Sequence, residues 1–382
     1  MSKLPQRLKT RLFSRLGCLF LLILGVLVVA GGYKIFIAFD DTSPRISQVY
    51  LADLNRDDHL DAFLVFLNEL HKVLLNDGHG NFTRNQELLM HNYVLALGDI
   101  NGDGQTDAIL SLFEFEENRN FIACNTDLPD LVLDNPLNAK SLQPFAIQDS
   151  NQDGIPESFI AGCCRSTSTL ISYGDITNGS QCLETSNARA LTLADLNGDK
   201  ALDAFVTKGW VTTDGKTARR VPNEVWFNDG SGNFYDSGQR LGQAESYSVV
   251  LGDVNGDGFT DAVVGNRGAD EIWLNDGQGN FSDSGQRLGN GFTQTVYLAQ
   301  LDGDSDLDLY AVGKTSGRVW LNDGDGQFLS GQRSRFGRTK TATIGDVTGD
   351  GVIDILVVGV KSYQVWQGDG DGHFTAGSYT DF

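Results

Sequence analysis

The chain has 382 residues, a formal net charge of −21, 45 glycines and only 7 prolines. This acid excess argues against a surface for nucleic acid phosphates, which needs clustered basic residues, and favours cations or a partner with basic patches. The length suits one large domain or two modest ones. Short apolar runs separated by Gly, Asn and Asp, in place of helical periodicity, read as all-β.

Residues 1–16 form a basic N-terminus with Lys3, Arg7, Lys9, Arg11 and Arg15. An uncharged run from Leu16 to Tyr33 follows, then Lys34 and the apolar Ile35 to Phe39. A run of about 18 or more apolar residues is long enough to cross a bilayer, so 17–39 reads as a transmembrane signal-anchor. The charge asymmetry puts the N-terminus in the cytoplasm and the rest of the chain outside, in a periplasmic or extracellular space. A cleaved signal peptide ending at Val28-Val29-Ala30 is the rival reading, and it would make the protein secreted. The apolar stretch continues past that site, which favours the anchor. Residues 40–45 then link the span to a domain over 46–382.

Cys18 sits at the cytoplasmic edge of the span. Cys124, Cys163, Cys164 and Cys182 fall outside, where disulfides persist. Three pairings are open, the adjacent Cys163–Cys164 bond being the most strained, and free buried thiols are the alternative.

From residue 52 onward one acidic pattern recurs seven times. It reads "ADLNRDDHLDAF" from Ala52, "GDINGDGQTDAI" from Gly98, "QDSNQDGIPESF" from Gln148 and "ADLNGDKALDAF" from Ala194. It continues as "GDVNGDGFTDAV" from Gly252, "AQLDGDSDLDLY" from Ala299 and "GDVTGDGVIDIL" from Gly345. The copies are spaced by 46, 50, 46, 58, 47 and 46 residues, the period of a stacked supersecondary unit. A second element follows most copies: "VLLNDGHGNF" at 73–82, "VWFNDGSGNF" at 225–234, "IWLNDGQGNF" at 272–281, "VWLNDGDGQF" at 319–328 and "VWQGDGDGHF" at 365–374. Its Asn-Asp-Gly core is a hairpin signal. Copies two and three lack it.

Each unit therefore holds four short strands. The first ends at the acidic loop, the second begins at its last acid, the third carries the Trp and the fourth starts at the Phe. Four-stranded units of this period are propeller blades, and seven of them predict a seven-bladed β-propeller. Trp226, Trp273, Trp320 and Trp366 recur at one blade position, which points to packing between blades.

The pattern D-x-[DN]-x-D-G-x-x-D supplies short oxygen side chains at alternating positions of a tight loop, which is what Ca2+ takes. The ligand sets are Asp53, Asn55, Asp57 and Asp61; Asp99, Asn101, Asp103 and Asp107; and Asp149, Asn151, Asp153 and Glu157. They continue with Asp195, Asn197, Asp199 and Asp203; Asp253, Asn255, Asp257 and Asp261; Asp302, Asp304 and Asp308; and Asp346, Thr348, Asp350 and Asp354. A backbone carbonyl at the seventh position completes the set. The alternative is an Asx-turn loop with solvated acids. The loops hold 23 acids, and without them the chain would carry a charge of +2. Loops two and five match the pattern fully and are expected to bind best. Loops three and six depart most, with Glu157 after Pro156 and with Gln300 leading; loops one, four and seven carry Asp58, Lys200 and Thr348 at odds with it.

The acidic loops and "LNDGxGNF" hairpins resemble FG-GAP/VCBS repeats, over about residues 46–382. The resemblance implies an integrin α-like seven-bladed propeller with several calcium sites. The same fold serves adhesion receptors, lectins and non-catalytic parts of enzymes, so it implies little about activity. Loops and hairpins share one face of such a blade. The opposite face varies, with "KGWVTTDGKTARRVPNE" at 208–224 and "FEFEENRNF" at 113–121. Variable loops on a rigid scaffold are where binding resides. No nucleophile–base pair, phosphate loop or dinucleotide fingerprint appears, and the five histidines show no zinc spacing. The expectation is a membrane-anchored binding or adhesion module for a protein or glycan, with a lectin-like propeller as second reading and a polysaccharide-active enzyme as third.

Overall fold

In each repeat the second strand is a near-continuous apolar run such as "DAFLVF" or "DAFVTK", and it is buried along its whole length in the first and fourth sheets. A strand with both faces apolar needs cover on both sides, so sheets built around such strands must stack face to face. The fourth strand is the reverse. "FSDSGQRL" is buried only at its two ends, which marks the outer edge of its sheet.

The computed structural model describes residues 46–66, 70–88, 92–98, 107–113, 118–125, 131–137, 145–148, 157–160, 170–171, 188–212, 218–337 and 340–382. All lie within the unit Ser43–Phe382. The proposed membrane segment, Cys18, Cys163, Cys164 and Cys182 fall outside the described residues, and of Cys124 only the strand backbone is described. Every element is a strand, and no helix among the described residues is long and apolar enough to cross a membrane.

The strands form seven successive antiparallel sheets and a two-stranded ribbon among the described residues. The first sheet takes Ile46–Ala52, Asp61–Phe66, His71–Asn76 and Phe82–Leu88; the second takes Asn92–Gly98, Asp107–Phe113, Asn118–Asn125 and Leu131–Leu137. The third has Phe145–Gln148, Glu157–Ile160 and Leu170–Ile171. The fourth has Ala188–Ala194, Asp203–Lys208, Asn223–Asn228 and Phe234–Leu241, with the ribbon Trp210–Thr212 and Ala218–Arg220 set into it. The fifth has Glu245–Gly252, Asp261–Arg267, Asp270–Asn275 and Phe281–Leu288; the sixth has Thr293–Ala299, Asp308–Gly313, Ser316–Asn322 and Phe328–Arg335. The seventh has Thr341–Gly345, Asp354–Val358, Ser362–Gly368 and Phe374–Ala376, with Thr380–Asp381 pairing back onto its third strand.

These bounds match the expected punctuation. The second strand starts at the last acid in all seven sheets, and the fourth starts at the hairpin Phe wherever the hairpin motif occurs. The second sheet keeps four strands although its sequence has lost that motif.

The core lies between sheets. Leu196, Phe205, Val225 and Leu241 of the fourth repeat pack with Val249, Ala262, Trp273 and Phe281 of the fifth. Ile272 and Leu288 pack with Leu309, Trp320 and Phe328 of the sixth. Trp273 and Trp320 thus serve in inter-sheet packing. The first and last sheets also share a core, in which Leu64, Leu74 and Phe82 meet Val347, Leu356 and Tyr363. Neither sheet borrows a strand from the other.

Candidate functional site: the acidic loops and the opposite face

The fifth loop shows how the acids are held. Asp253 Oδ1 accepts the Gly256 N–H at 2.8 Å, and Oδ2 accepts the Gly258 N–H at 2.8 Å. Asn255 Oδ1 accepts from the Asp257 N–H, and Asp257 Oδ1 from the Phe259 N–H. These are nested Asx turns. Asp195 and Asp346 hold their loops in the same way, through Gly198 and Lys200 and through Gly349 and Gly351. Asp53 does so through Arg56 and Asp58. Positions four and six of the loop need positive φ, and Arg56, Asp58 and Lys200 adopt it at 65°, 65° and 73° without being glycine. Asn55, Asn197 and Asp199 make the equivalent contacts in their loops, and Asp57 and Asp350 each accept an N–H two residues on. Thr348 instead donates its hydroxyl to Asp354 at 3.0 Å.

The last acid of each described loop is fully buried. Asp261 Oδ2 accepts the Val254 N–H at 3.1 Å and Oδ1 accepts the Asn275 N–H at 2.8 Å, which ties the loop to the third strand. Asp61, Asp203 and Asp308 repeat both bonds; in the seventh repeat Asp354 makes them to Val347 and Gly368. Burial pushes Asp203, Asp261 and Asp308 up to about 6, against the lowering effect of those N–H donors, and neighbouring loop acids add to the rise. A divalent cation in the loop would remove that penalty by supplying opposite charge.

The sixth loop is arranged differently. Gln300 replaces the leading acid, and its side chain donates to the Ser305 carbonyl. Asp302, Asp304 and Asp308 bring one carboxylate oxygen each to within 4.8 Å of one another. Burial pushes Asp302 up from the ordinary carboxylate range; the Asp304 N–H it accepts opposes the rise, and the Asp304 charge adds to it. Calcium–oxygen distances of about 2.3–2.6 Å place two oxygens across one ion about 5 Å apart, so this all-oxygen set has the span of a hard-cation site. Among the described loops, the one ranked among the weakest from its sequence is the one in which three carboxylates converge. In the second and third repeats, Asp99, Asn101, Asp103, Asp149, Asn151 and Asp153 fall outside the described residues; Asp107 and Glu157 each begin a strand.

Two side-chain roles were not read from the sequence and prove central to how this face is assembled. The hairpin Asn reaches into the neighbouring loop: Asn275 Nδ2 donates to the Leu196 carbonyl at 2.8 Å and to its own Thr260 carbonyl at 3.0 Å. Asn322 does the same to Val254 and Leu307, and Asn76 to Val347 and Leu60. In the seventh repeat Gly368 stands at the Asn position, and the Gly372 N–H meets the Leu301 carbonyl instead. The "SGQR" Gln is the second type. Gln239 donates to the Gly279 carbonyl and accepts the Phe281 N–H of the next hairpin. Gln286 clasps Gly326 and Phe328 likewise, and Gln332 clasps Phe374. Recurrence of the Asn in "LNDG" and of the Gln in "SGQR" was the available signal.

Loops and hairpins do share a face. A Cβ on Gly256 would lie 3.3 Å from the Gly324 carbonyl oxygen, and one on Gly303 or Gly349 would lie 2.7 Å from the Gly370 or Gly78 oxygen. The opposite face is built from unlike parts. At the fourth sheet, Arg220 lies over the Trp210 ring at 5.4 Å. Glu245, at the start of the fifth sheet, is buried, which raises its pKa, but hydrogen bonds from Tyr247 and Trp210 and the charges of Arg267 and Arg189 outweigh burial and hold it low. Between the fifth and sixth sheets the same face opens into a cavity of about 310 Å³, lined by Asp270, Phe292, Lys314, Arg318, Trp320 and Arg333 among others.

Stacked antiparallel sheets with inter-sheet cores and repeated acidic loops define the class: this is a β-propeller. Its sequence matches the FG-GAP-like repeat three times in overlapping register, at 195–264, 253–311 and 300–357, and over that stretch the chain carries FG-GAP-like repeats. No curated protein matches the chain. Solved structures share the fold at low identity. A lectin of Agrocybe aegerita that recognises non-reducing terminal N-acetylglucosamine is 18% identical with a TM-score of 0.54, covering 81% of this chain and 87% of its own. BBS1N, solved in complex with ARL6DN, is 10% identical with a TM-score of 0.56, covering 90% and 96%. A functionally unknown protein of Desulfotomaculum acetoxidans is 10% identical with a TM-score of 0.50, covering 81% and 91%.

Proposed function

We propose that this protein is a seven-bladed, calcium-stabilised propeller, held at a membrane by its N-terminal segment with the propeller outside the cytoplasm, that binds a protein or glycan on the face opposite its acidic loops. The observation that carries the reading is the asymmetry of the two faces. One face repeats the same loop, hairpin and Asn bridge from sheet to sheet, which suits a scaffold. The other departs from repetition, with a ribbon at the fourth sheet and a cavity between the fifth and sixth, which suits recognition. The packing of the first sheet on the last supports closure of the seven sheets into one ring.

Asp302, Asp304 and Asp308 would hold one Ca2+, and the leading Asp, the Asn and the middle Asp of the first, fourth and fifth loops are the side chains available to hold others. The ion supplies charge that offsets the crowding of the acids; the chain's own contribution is the nest of backbone N–H groups that fixes each carboxylate. The acids lie in these loops and not as a pair across a cleft, which supports a non-catalytic role.

The test is thermal unfolding of the full chain with added calcium and then with chelator. A ligand bound only by the folded state stabilises it by about 2.7 kcal/mol at a hundredfold excess over Kd, so calcium should raise the midpoint by several degrees. An unchanged midpoint with no bound metal by elemental analysis would remove calcium and leave the loops as Asx turns. A glycan partner is favoured over a protein by one feature, the cavity between the fifth and sixth sheets, and by the lectin's use of the same fold.

A further inference from the structure

The cavity contains a departure from the repeat that a scaffold does not need. In the fourth sheet Glu224 lies directly across from Arg240, and in the fifth Glu271 lies across from Arg287. Each arginine also pairs with an acid four residues earlier, Asp236 at 2.6 Å and Asp283 at 2.7 Å. In the sixth sheet the cross-strand partner of Arg333 is Arg318. The second acid, which lies across from the Trp in the fourth and fifth sheets, is replaced by Ser330 across from Trp320. A position that holds one cation between two acids in two sheets thus holds two cations and no acid in the third.

Like charges directly opposite on neighbouring strands destabilise a sheet. Nothing local relieves this pair. Among the described residues no carboxylate lies within ion-pair distance of Arg318, Arg333 or Lys314, although the chain carries a charge of −21. Arg318 lies over the Trp320 ring at 5.3 Å, and Lys314 lies over the Phe292 ring at 4.8 Å, so both cations are oriented. Arg333 donates to Ser316 Oγ at 3.0 Å. Asp270, the carboxyl lining the cavity, is already committed to the Asn266 N–H and the Thr293 hydroxyl at 2.8 and 2.9 Å.

We propose that Arg318, Arg333 and Lys314 form a site for an oxyanion, a carboxylate, sulfate or phosphate group, which enters the cavity between the fifth and sixth sheets. Two guanidinium groups on one sheet face offer a planar oxyanion paired charge-assisted hydrogen bonds, and the anion restores the alternation of charge that the sequence of this sheet lacks. The oxyanion comes either as a free inorganic ion or as the acidic group of a saccharide. The site rests on the reading of this face as the binding face, and it does not depend on the metal.

The experiment is calorimetric titration of the full chain with inorganic sulfate and, separately, with a galacturonate oligosaccharide, at constant ionic strength and with calcium present. Arg318→Glu recreates the Glu–Arg pair of the neighbouring sheets, so this variant should melt no lower than the wild-type chain. Binding of either probe, weakened at least about tenfold in Arg318→Glu and in Arg333→Gln, supports the site. Tighter binding of the oligosaccharide identifies the saccharide as source, and equal or tighter binding of sulfate identifies the free ion. No binding of either probe, or binding that Arg318→Glu leaves intact, overturns the proposal. Retention of the calcium-dependent rise in melting midpoint in that case would leave the scaffold reading standing.

Discussion

At the scale of single residues, the acidic loops impose a backbone requirement that three side chains meet at a cost. Asp58 and Lys200 occupy the sixth loop position with positive φ, where the other described members of this geometry, Gly258 and Gly351, carry no side chain. The left-handed region costs an ordinary L-residue about 1–2 kcal/mol, of which glycine's extra freedom in the unfolded chain returns about half. Lys200→Gly and Asp58→Gly should therefore each stabilise the protein by up to about 1 kcal/mol, read as a rise in denaturant midpoint at unchanged slope. A fall in midpoint would mean that the side chain contributes a contact worth more than the strain. The sequence displayed these two positions plainly, because they interrupt a repeated glycine. It did not display that the last acid of each described loop gives both oxygens to backbone N–H groups. That role is filled by the same residue type a metal ligand would be, so composition and spacing could not separate the two.

Among elements, the hairpin is the piece that joins one sheet to the next. Asn275 makes two donor contacts, one of them across the sheet boundary, and its Oδ1 accepts the N–H groups of Gly277 and Gly279. Asn275→Ala should cost about 3 kcal/mol, since buried carbonyls left without a donor lose about 1–3 kcal/mol each. Chemical denaturation checks this, and a loss below about 0.5 kcal/mol would show that water replaces the amide. Strand order and strand bounds were legible in advance, because acid, Trp and Phe each mark a fixed point of the repeat. The second sheet shows the limit of that legibility: it forms four strands without the hairpin motif, from apolar alternation in segments such as "NYVLALG" and "DAILSLF". The Gln clasp was illegible for a geometric reason. It joins residues 40 and 42 apart in sequence, and only the stacking angle between sheets brings them together.

For the whole molecule, the decisive contact is between the first and last sheets. It consists of an apolar core, the Asn76 bridge to the Val347 carbonyl at 2.9 Å and a hydrogen bond from the Phe82 N–H to the Tyr363 hydroxyl at 2.9 Å. Tyr363 also packs edge-on against Phe82 at 5.2 Å. The double variant Asn76→Ala, Tyr363→Phe should raise hydrogen exchange in Asp61–Phe66 and Asp354–Val358 while leaving Asp261–Arg267 protected, because local openings track the contacts removed. Equal acceleration in all three strands would show that the sheets open together and that this contact is not a separate weak point. The sequence indicated seven units but not how the seventh meets the first, where the Tyr363 hydroxyl takes the place that a Gln side chain fills at the fifth, sixth and seventh hairpins.

That each sheet is assembled from consecutive residues has a further consequence for how such a molecule changes over generations. Each repeat of the sequence corresponds to one sheet. Duplication or loss of a unit of about 47 residues would insert or remove one whole sheet and cut through none. Blades can then diverge one at a time, as the sixth has done: two arginines stand where the fourth and fifth hold a Glu–Arg pair.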